Sequence, residues 1–189
     1  MSSQLQSTSK YWELSEPTER ELCGRIEQFR EEERPLWNRL IKAAIKLISS
    51  PSRSKIKNLG WVLDAGCATL PYVHQFRDFE GVVGVDISIS HMAHNLMQVQ
   101  YLEERRSNSK WRRQLHIPDA NWPNKMSFLF ELTALEHMIA ALEMKYSLIF
   151  CNFVLSYPSS EDLTIILKQM YGVLEDGGLM LVKENLAQD

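Results

Sequence analysis

The chain has 189 residues, 44% of them hydrophobic and 10% aromatic, which suits one globular domain with a sizeable core. With 21 Lys and Arg against 24 Asp and Glu its formal charge is -3, which argues against a polyanion-binding protein and so against a nucleic-acid partner. No apolar stretch reaches the roughly 18–20 residues of a membrane span, and polar Met1–Lys10 has no apolar signal core, so neither membrane insertion nor secretion is expected.

Residues 1–10 are rich in Ser and Gln and read as a mobile arm; residues 11–189 read as a single domain, with a helical segment at 11–58 and an α/β core at 59–189. Thr18 and Glu21 form a capping-box pattern, and Leu22, Ile26 and Phe29 follow at helical spacing, so the first helix is expected at about 19–30. Pro35 is expected to open a second helix, whose apolar stripe (Leu36/Trp37, Leu40/Ile41, Ala44/Ile45, Ile48) ends at Ser49-Ser50-Pro51. From residue 61 the pattern changes. Trp61–Asp64, Gly81–Asp86, Met126–Glu131, Tyr146–Cys151 and Leu179–Val182 are short apolar runs of strand length. Helical stretches at 71–79, 89–104 and 160–174, with a shorter candidate at 134–143, separate them. Strands alternating with helices predict a parallel α/β sheet covered on both faces.

Arg105–Lys125 breaks this rhythm and reads as an insertion loop; its Arg105, Arg106, Lys110, Arg112 and Arg113 beside Trp111 fit a solvated loop better than a nucleic-acid contact. Cys23, Cys67 and Cys151 are odd in number and far apart, without metal-ligand spacing, which suits a reducing compartment: cytoplasm, nucleus or both. His91 and His94 stand three apart with no third ligand in sight, so they read as ordinary helix histidines.

The informative segment is Val62-Leu63-Asp64-Ala65-Gly66-Cys67-Ala68, followed by Val85-Asp86. A buried strand ending in Asp-x-Gly lets the backbone bend under a ligand, and a carboxylate closing the second strand, 20 residues after Gly66, suits ribose hydroxyls. Cys67-Ala68-Thr69-Leu70-Pro71 offers no pyrophosphate cradle. An acid before the glycine suits a ligand with a cationic end instead, as in S-adenosylmethionine.

The segment resembles the first motif of class I methyltransferases, with Ala68 and Leu70 where that family usually has its second and third glycines. Gly178–Gln188 resembles the fifth-strand segment of the protein α-N-terminal methyltransferases, and Tyr11-Trp12, Pro17-Thr18 and Asp86-Ile87-Ser88 also look like parts of that family. The resemblance implies an α/β, Rossmann-like class I methyltransferase sheet, mostly parallel, with its five strands in the order 3-2-1-4-5 and with N-terminal helices, S-adenosyl-L-methionine as cofactor, and methylation of proteins beginning Xaa-Pro-Lys. It assigns Asp64, Gly66, Asp86, Ile87, Leu135, Glu136 and Asn152 to the cofactor, and Trp12, Phe153 and Asn185 to the substrate. Trp12 and Phe153 also read as core aromatics, Leu135 as part of an amphipathic helix, and Asn185 as a helix cap.

The catalytic candidates are Asn185, Glu184 and Tyr157, the last standing where the family has a histidine. The family continues with two more strands beyond the fifth, which this sequence lacks, so Leu179–Val182 is expected as an exposed edge open to self-association. Two other readings stand beside this one: a catalytically weak or inactive binding protein on the same fold, and a small-molecule methyltransferase.

Overall fold

The computed structural model describes residues 27–50, 58–68, 70, 72–107, 126–152, 154, 155 and 158–184, without the side chains of 27–34, 74 and 100–107. Five parallel strands form one sheet: β1 (Trp61–Ala65), β2 (Gly81–Asp86), β3 (Ser127–Leu132), β4 (Tyr146–Asn152) and β5 (Leu174–Lys183). Their order is β3-β2-β1-β4-β5, as the resemblance implies. The helices are α1 (Glu27–Ile48), α2 (Ile89–Ser107) and α3 (Ser160–Val173).

The strand sequences divide their side chains between two cores because successive residues point to opposite faces. Val62, Val82, Leu148 and Phe150 pack with Trp37, Ile41, Ala44 and Ile48 of α1 and Met92 of α2. Leu63, Val83, Ile149 and Cys151 pack with Ile166, Met170 and Val173 of α3. Phe150 anchors the first core, with ring centroids of Trp37, Tyr72 and Phe76 at 5.1, 5.4 and 5.8 Å, all near edge-to-face. The central strands β1, β2 and β4 are buried almost throughout, which is why they read as continuous apolar runs.

Four local expectations are corrected. Helix α1 runs through Pro35 without the break expected there. Pro costs a helix interior about 3 kcal/mol, but Trp37, Ile41, Ala44 and Ile48 are all at most 3% exposed and hold the axis that the preceding turns extend. The helix expected at 71–79 is a 3-10 turn, Val73–Phe76, and the one at 134–143 is two such turns, Leu135–His137 and Ala140–Glu143. In both places the buried residues stand three apart, Val73, Phe76 and Phe79 in one and Leu135, Met138 and Ala141 in the other. A spacing of three aligns side chains on a 3-10 helix, whereas an α-helix drifts off it. In the second segment Glu131 also takes the backbone N–H groups of Ile139 (2.6 Å), Ala140 (3.2 Å) and Ala141 (2.8 Å), which an α-helix would need. Lastly, β5 begins five residues before the expected Leu179. Leu174 pairs beside Tyr146, the register then shifts, and Leu179 resumes beside Leu148, with Gly177 supplying a positive φ of 89° within the shift.

Helix α3 starts where expected because Ser159 caps it, its side chain accepting from Asp162 N at 3.2 Å. The outer side of β5, on which the expected self-association rests, has no strand partner among the described residues. None of the described helices is long and apolar enough to cross a membrane.

Candidate active site

The strand order reverses at β1, which has β2 on one side and β4 on the other. In open parallel sheets the crevice at such a point, beyond the carboxyl ends of the strands, is where ligands sit. The sequence candidates fall there: Asp64 and Gly66 at the end of β1, Asp86 and Ile87 at the end of β2, Leu135 and Glu136 after β3, Asn152 at the end of β4, and Glu184 after β5. Trp12, Phe153, Tyr157 and Asn185 lie outside the described residues.

The turn after β1 is built by three sets of bonds. Val85 O accepts from both Gly66 N (2.8 Å) and Cys67 N (3.0 Å). Asp86 accepts from Ala68 N through Oδ2 and from Ser88 N through Oδ1, both at 2.8 Å. From α2 below, Asn95 Nδ2 donates to Ala68 O at 2.6 Å. Asp86 thus does more than the sequence suggests: besides facing the position expected for ribose hydroxyls, its carboxylate ties the turn to the next strand. His91 Nδ1 stands 3.9 Å from Asp86 Oδ1, with the ring 1% exposed.

Gly66 has φ +70°, and a Cβ there would lie 2.5 Å from Val154 Cγ2, so backbone and neighbour both require a glycine. Ala68 and Leu70 also have positive φ, 45° and 51°. These are the two positions where the sequence departs from the glycines of the resembled motif, and the backbone keeps the conformation a glycine would favour. The left-handed region costs an L-residue roughly 1–2 kcal/mol. Leu70 is held in it by burial at 2% exposure, whereas Ala68 is half-buried and has only a methyl group to lose. Ala68→Gly is therefore expected to raise stability by about 0.5–1 kcal/mol after the greater unfolded-state freedom of glycine is subtracted. Thermal unfolding checks it; a lower melting temperature would show that Ala68 is not strained.

Asp64 is the electrostatic centre of the crevice. It is 3% exposed, and its Oδ2 has no hydrogen-bond partner among the described residues. Burial, and after it the charge of Asp86, pushes its carboxyl up to about 8. A buried acceptor in this condition fits a ligand that brings its own cation. At the strand ends around it, Asn152 Oδ1 and Glu184 Oε2 are buried acceptors in the same state among the described residues. The other oxygen of Glu184 accepts from Val154 N (2.8 Å) and Leu155 N (2.5 Å), so this carboxylate holds the β4–α3 loop against β5. That structural duty was not foreseen for a catalytic candidate.

Sequence reasoning missed Asn95, which is 1% exposed on α2. The available signal was an amide four residues after His91, on a helix turn whose other inward residue is Met92.

No protein-family model matches the sequence, and comparison with curated proteins finds no match. Solved structures do resemble it. A SAM-dependent methyltransferase from Leishmania major aligns over 96% of this chain with TM-score 0.61 and 14% identity. Magnesium protoporphyrin IX methyltransferase from Synechocystis, with SAM bound, aligns over 93% of this chain and 74% of its own, with TM-score 0.55 and 14% identity. The N-methyltransferase NodS from Bradyrhizobium japonicum, in complex with S-adenosyl-L-homocysteine, aligns over 93% and 70%, with TM-score 0.54 and 12% identity. This chain spans 61% of the length of the Leishmania protein. The likeness is one of fold: the parallel five-stranded sheet with its flanking helices matches the Rossmann-like fold of these methyltransferases.

Proposed function

We propose that this chain is an S-adenosylmethionine-dependent methyltransferase whose acceptor is the α-amine of a protein N-terminus of the Xaa-Pro-Lys type. The observation that carries the cofactor is Asp64: a buried carboxyl, lacking a partner on Oδ2 among the described residues and raised to about 8, beside a glycine turn and a second acid at the end of β2. An α-ammonium group would supply the missing donor and favour ionisation. The fold neighbours with SAM or S-adenosyl-L-homocysteine bound support the same cofactor.

S-adenosylmethionine would supply an electrophilic methyl group on a sulfonium centre. The chain's own part is binding and orientation. Asp64 pairs with a cationic end, Asp86 retains lone pairs for ribose hydroxyls while holding the turn, and Leu135 closes the adenine side with an apolar wall. Asn152 Oδ1 and Glu184 Oε2 are acceptors available to an amine donor. An α-amine has a pKa near 7.7–8.0, so a useful fraction is neutral without a strong base.

The N-terminal substrate is supported by the run Gly178–Gln188, which includes Lys183-Glu184-Asn185. Incubation with Ser-Pro-Lys and Ser-Ala-Lys peptides, read by mass spectrometry, tests it. Slow methylation that prefers Pro at the second position is expected, and Tyr157→His should accelerate it, since lost general-base help costs roughly 10²- to 10⁴-fold. Incorporation blind to the second residue would sink the substrate and leave a methyltransferase of other specificity. The strained Ala68 and Leu70 favour a second reading, a binding protein on the same fold. S-adenosyl-L-homocysteine binding with no incorporation by either variant would select it.

A further inference from the structure

We propose that Asn95 is a positioning residue for the cofactor turn: its side-chain amide clamps Ala68 in a left-handed conformation that alanine resists. The functional meaning of this role rests on the cofactor reading above; the clamp itself rests on geometry. Ala68 is gripped from both sides. Its N–H, part of the peptide preceding its Cα, donates to Asp86 Oδ2 at 2.8 Å, and its C=O, part of the peptide that follows, accepts from Asn95 Nδ2 at 2.6 Å. With both flanking peptide planes held, φ and ψ have little freedom to relax, and the φ of 45° persists without a glycine.

Two features set Asn95 apart from an ordinary helix residue. Asn is a poor helix former because its amide competes for backbone groups, and a buried amide is costly unless bonded. Here it is 1% exposed in the interior of α2, one turn after the buried His91. Its Nδ2 also lies 3.8 Å from Cys67 Sγ, so the residues it faces on the turn present acceptors, which settles which end of the amide points there. The amide thus takes over, by hydrogen bonding from the next helix, what a glycine would otherwise supply through its own backbone freedom.

The test is a two-by-two set: Asn95→Leu, which keeps bulk but cannot donate, and Ala68→Gly, alone and together. Without ligand, Ala68→Gly should raise the melting temperature when Asn95 is present and change it little with Asn95→Leu, where Ala68 has already relaxed. With S-adenosyl-L-homocysteine in a calorimeter, Asn95→Leu should weaken binding about tenfold, the size of one charge-free hydrogen bond and its lost order. Adding Ala68→Gly should recover most of that loss. A residue that merely packs the core would not be rescued in this way. An equal effect of Ala68→Gly on melting in both backgrounds, zero included, overturns the clamp. Absence of binding by the unaltered protein instead defeats the cofactor reading, while the melting comparison still decides the clamp.

Discussion

Asp64→Asn is expected to weaken S-adenosyl-L-homocysteine binding by about 1.5–3 kcal/mol, the range for a hydrogen bond to a charged group, and to remove most of its dependence on pH. The unliganded protein holds the Asp64 carboxyl at about 8 against an ordinary value of 3.8. Between those two values the folded state keeps a proton that the unfolded state has lost. The stability this group contributes is therefore complete below about 4 and is lost as pH rises through 8. A ligand bearing an ammonium group reverses the preference, so binding near pH 7 should release a proton, and affinity should rise with pH until about 8. Calorimetry in two buffers of different ionisation enthalpy reads that proton directly. The melting temperatures of the two proteins, followed from pH 5 to 9, give a second check: the difference should change by roughly 1.4 kcal/mol per pH unit at most and flatten above 8. A constant difference would show that Asp64 is already ionised in the unliganded protein.

Gly66→Ala should be the most damaging small substitution in the crevice. At φ +70° the new residue bears left-handed strain of roughly 1–2 kcal/mol, and its Cβ meets Val154 Cγ2 at 2.5 Å and Val154 Cβ at 2.7 Å. Displacing a packed neighbour adds about 1–3 kcal/mol. A loss of roughly 2–5 kcal/mol corresponds to a drop of about 5–15 °C for a chain of this size. Adding Val154→Gly, judged against Val154→Gly alone, separates the two causes, since it removes the Cγ2 and Cβ contacts and leaves the backbone part. A Gly66→Ala protein as stable as the original would mean that the turn can adopt another path. Because Val154 N is itself held by Glu184, the same double variant also reports whether the loop after β4 and the turn after β1 move together.

The sheet was legible because its cues are local and repeated. Apolar runs such as Gly81–Asp86 and Tyr146–Cys151 are buried from both faces, and their alternation with helices dictates parallel pairing. Segments whose conformation depends on a distant partner were not legible in this way. Nothing near residues 139–141 announces that Glu131 will take three of their N–H groups, and nothing in Glu184 itself says that it will bond the loop after β4. The acids of the crevice were found because Asp64 and Asp86 each end a strand. Asn95 was not, because its meaning depends on the conformation of Ala68, and φ is not written in a single residue type. Pro35 is the converse case: a strong local signal that tertiary burial of the α1 stripe overrides.

The carboxylate of Glu131 links parts of the molecule that differ in exposure. It belongs to β3, the rim of the sheet, where Leu129 and Leu132 are each 48% exposed, yet it carries the turn that follows Leu135 and Glu136. The same turn is moored at the sheet's centre, where the Tyr146 hydroxyl donates to Ala141 O at 2.8 Å. The segment from Leu135 to Ala141 is thus a span with one abutment on the rim and the other on β4, while the glycine turn is anchored to β2 and α2. The crevice therefore has one side tied to an edge strand of the sheet and one tied to its interior strands.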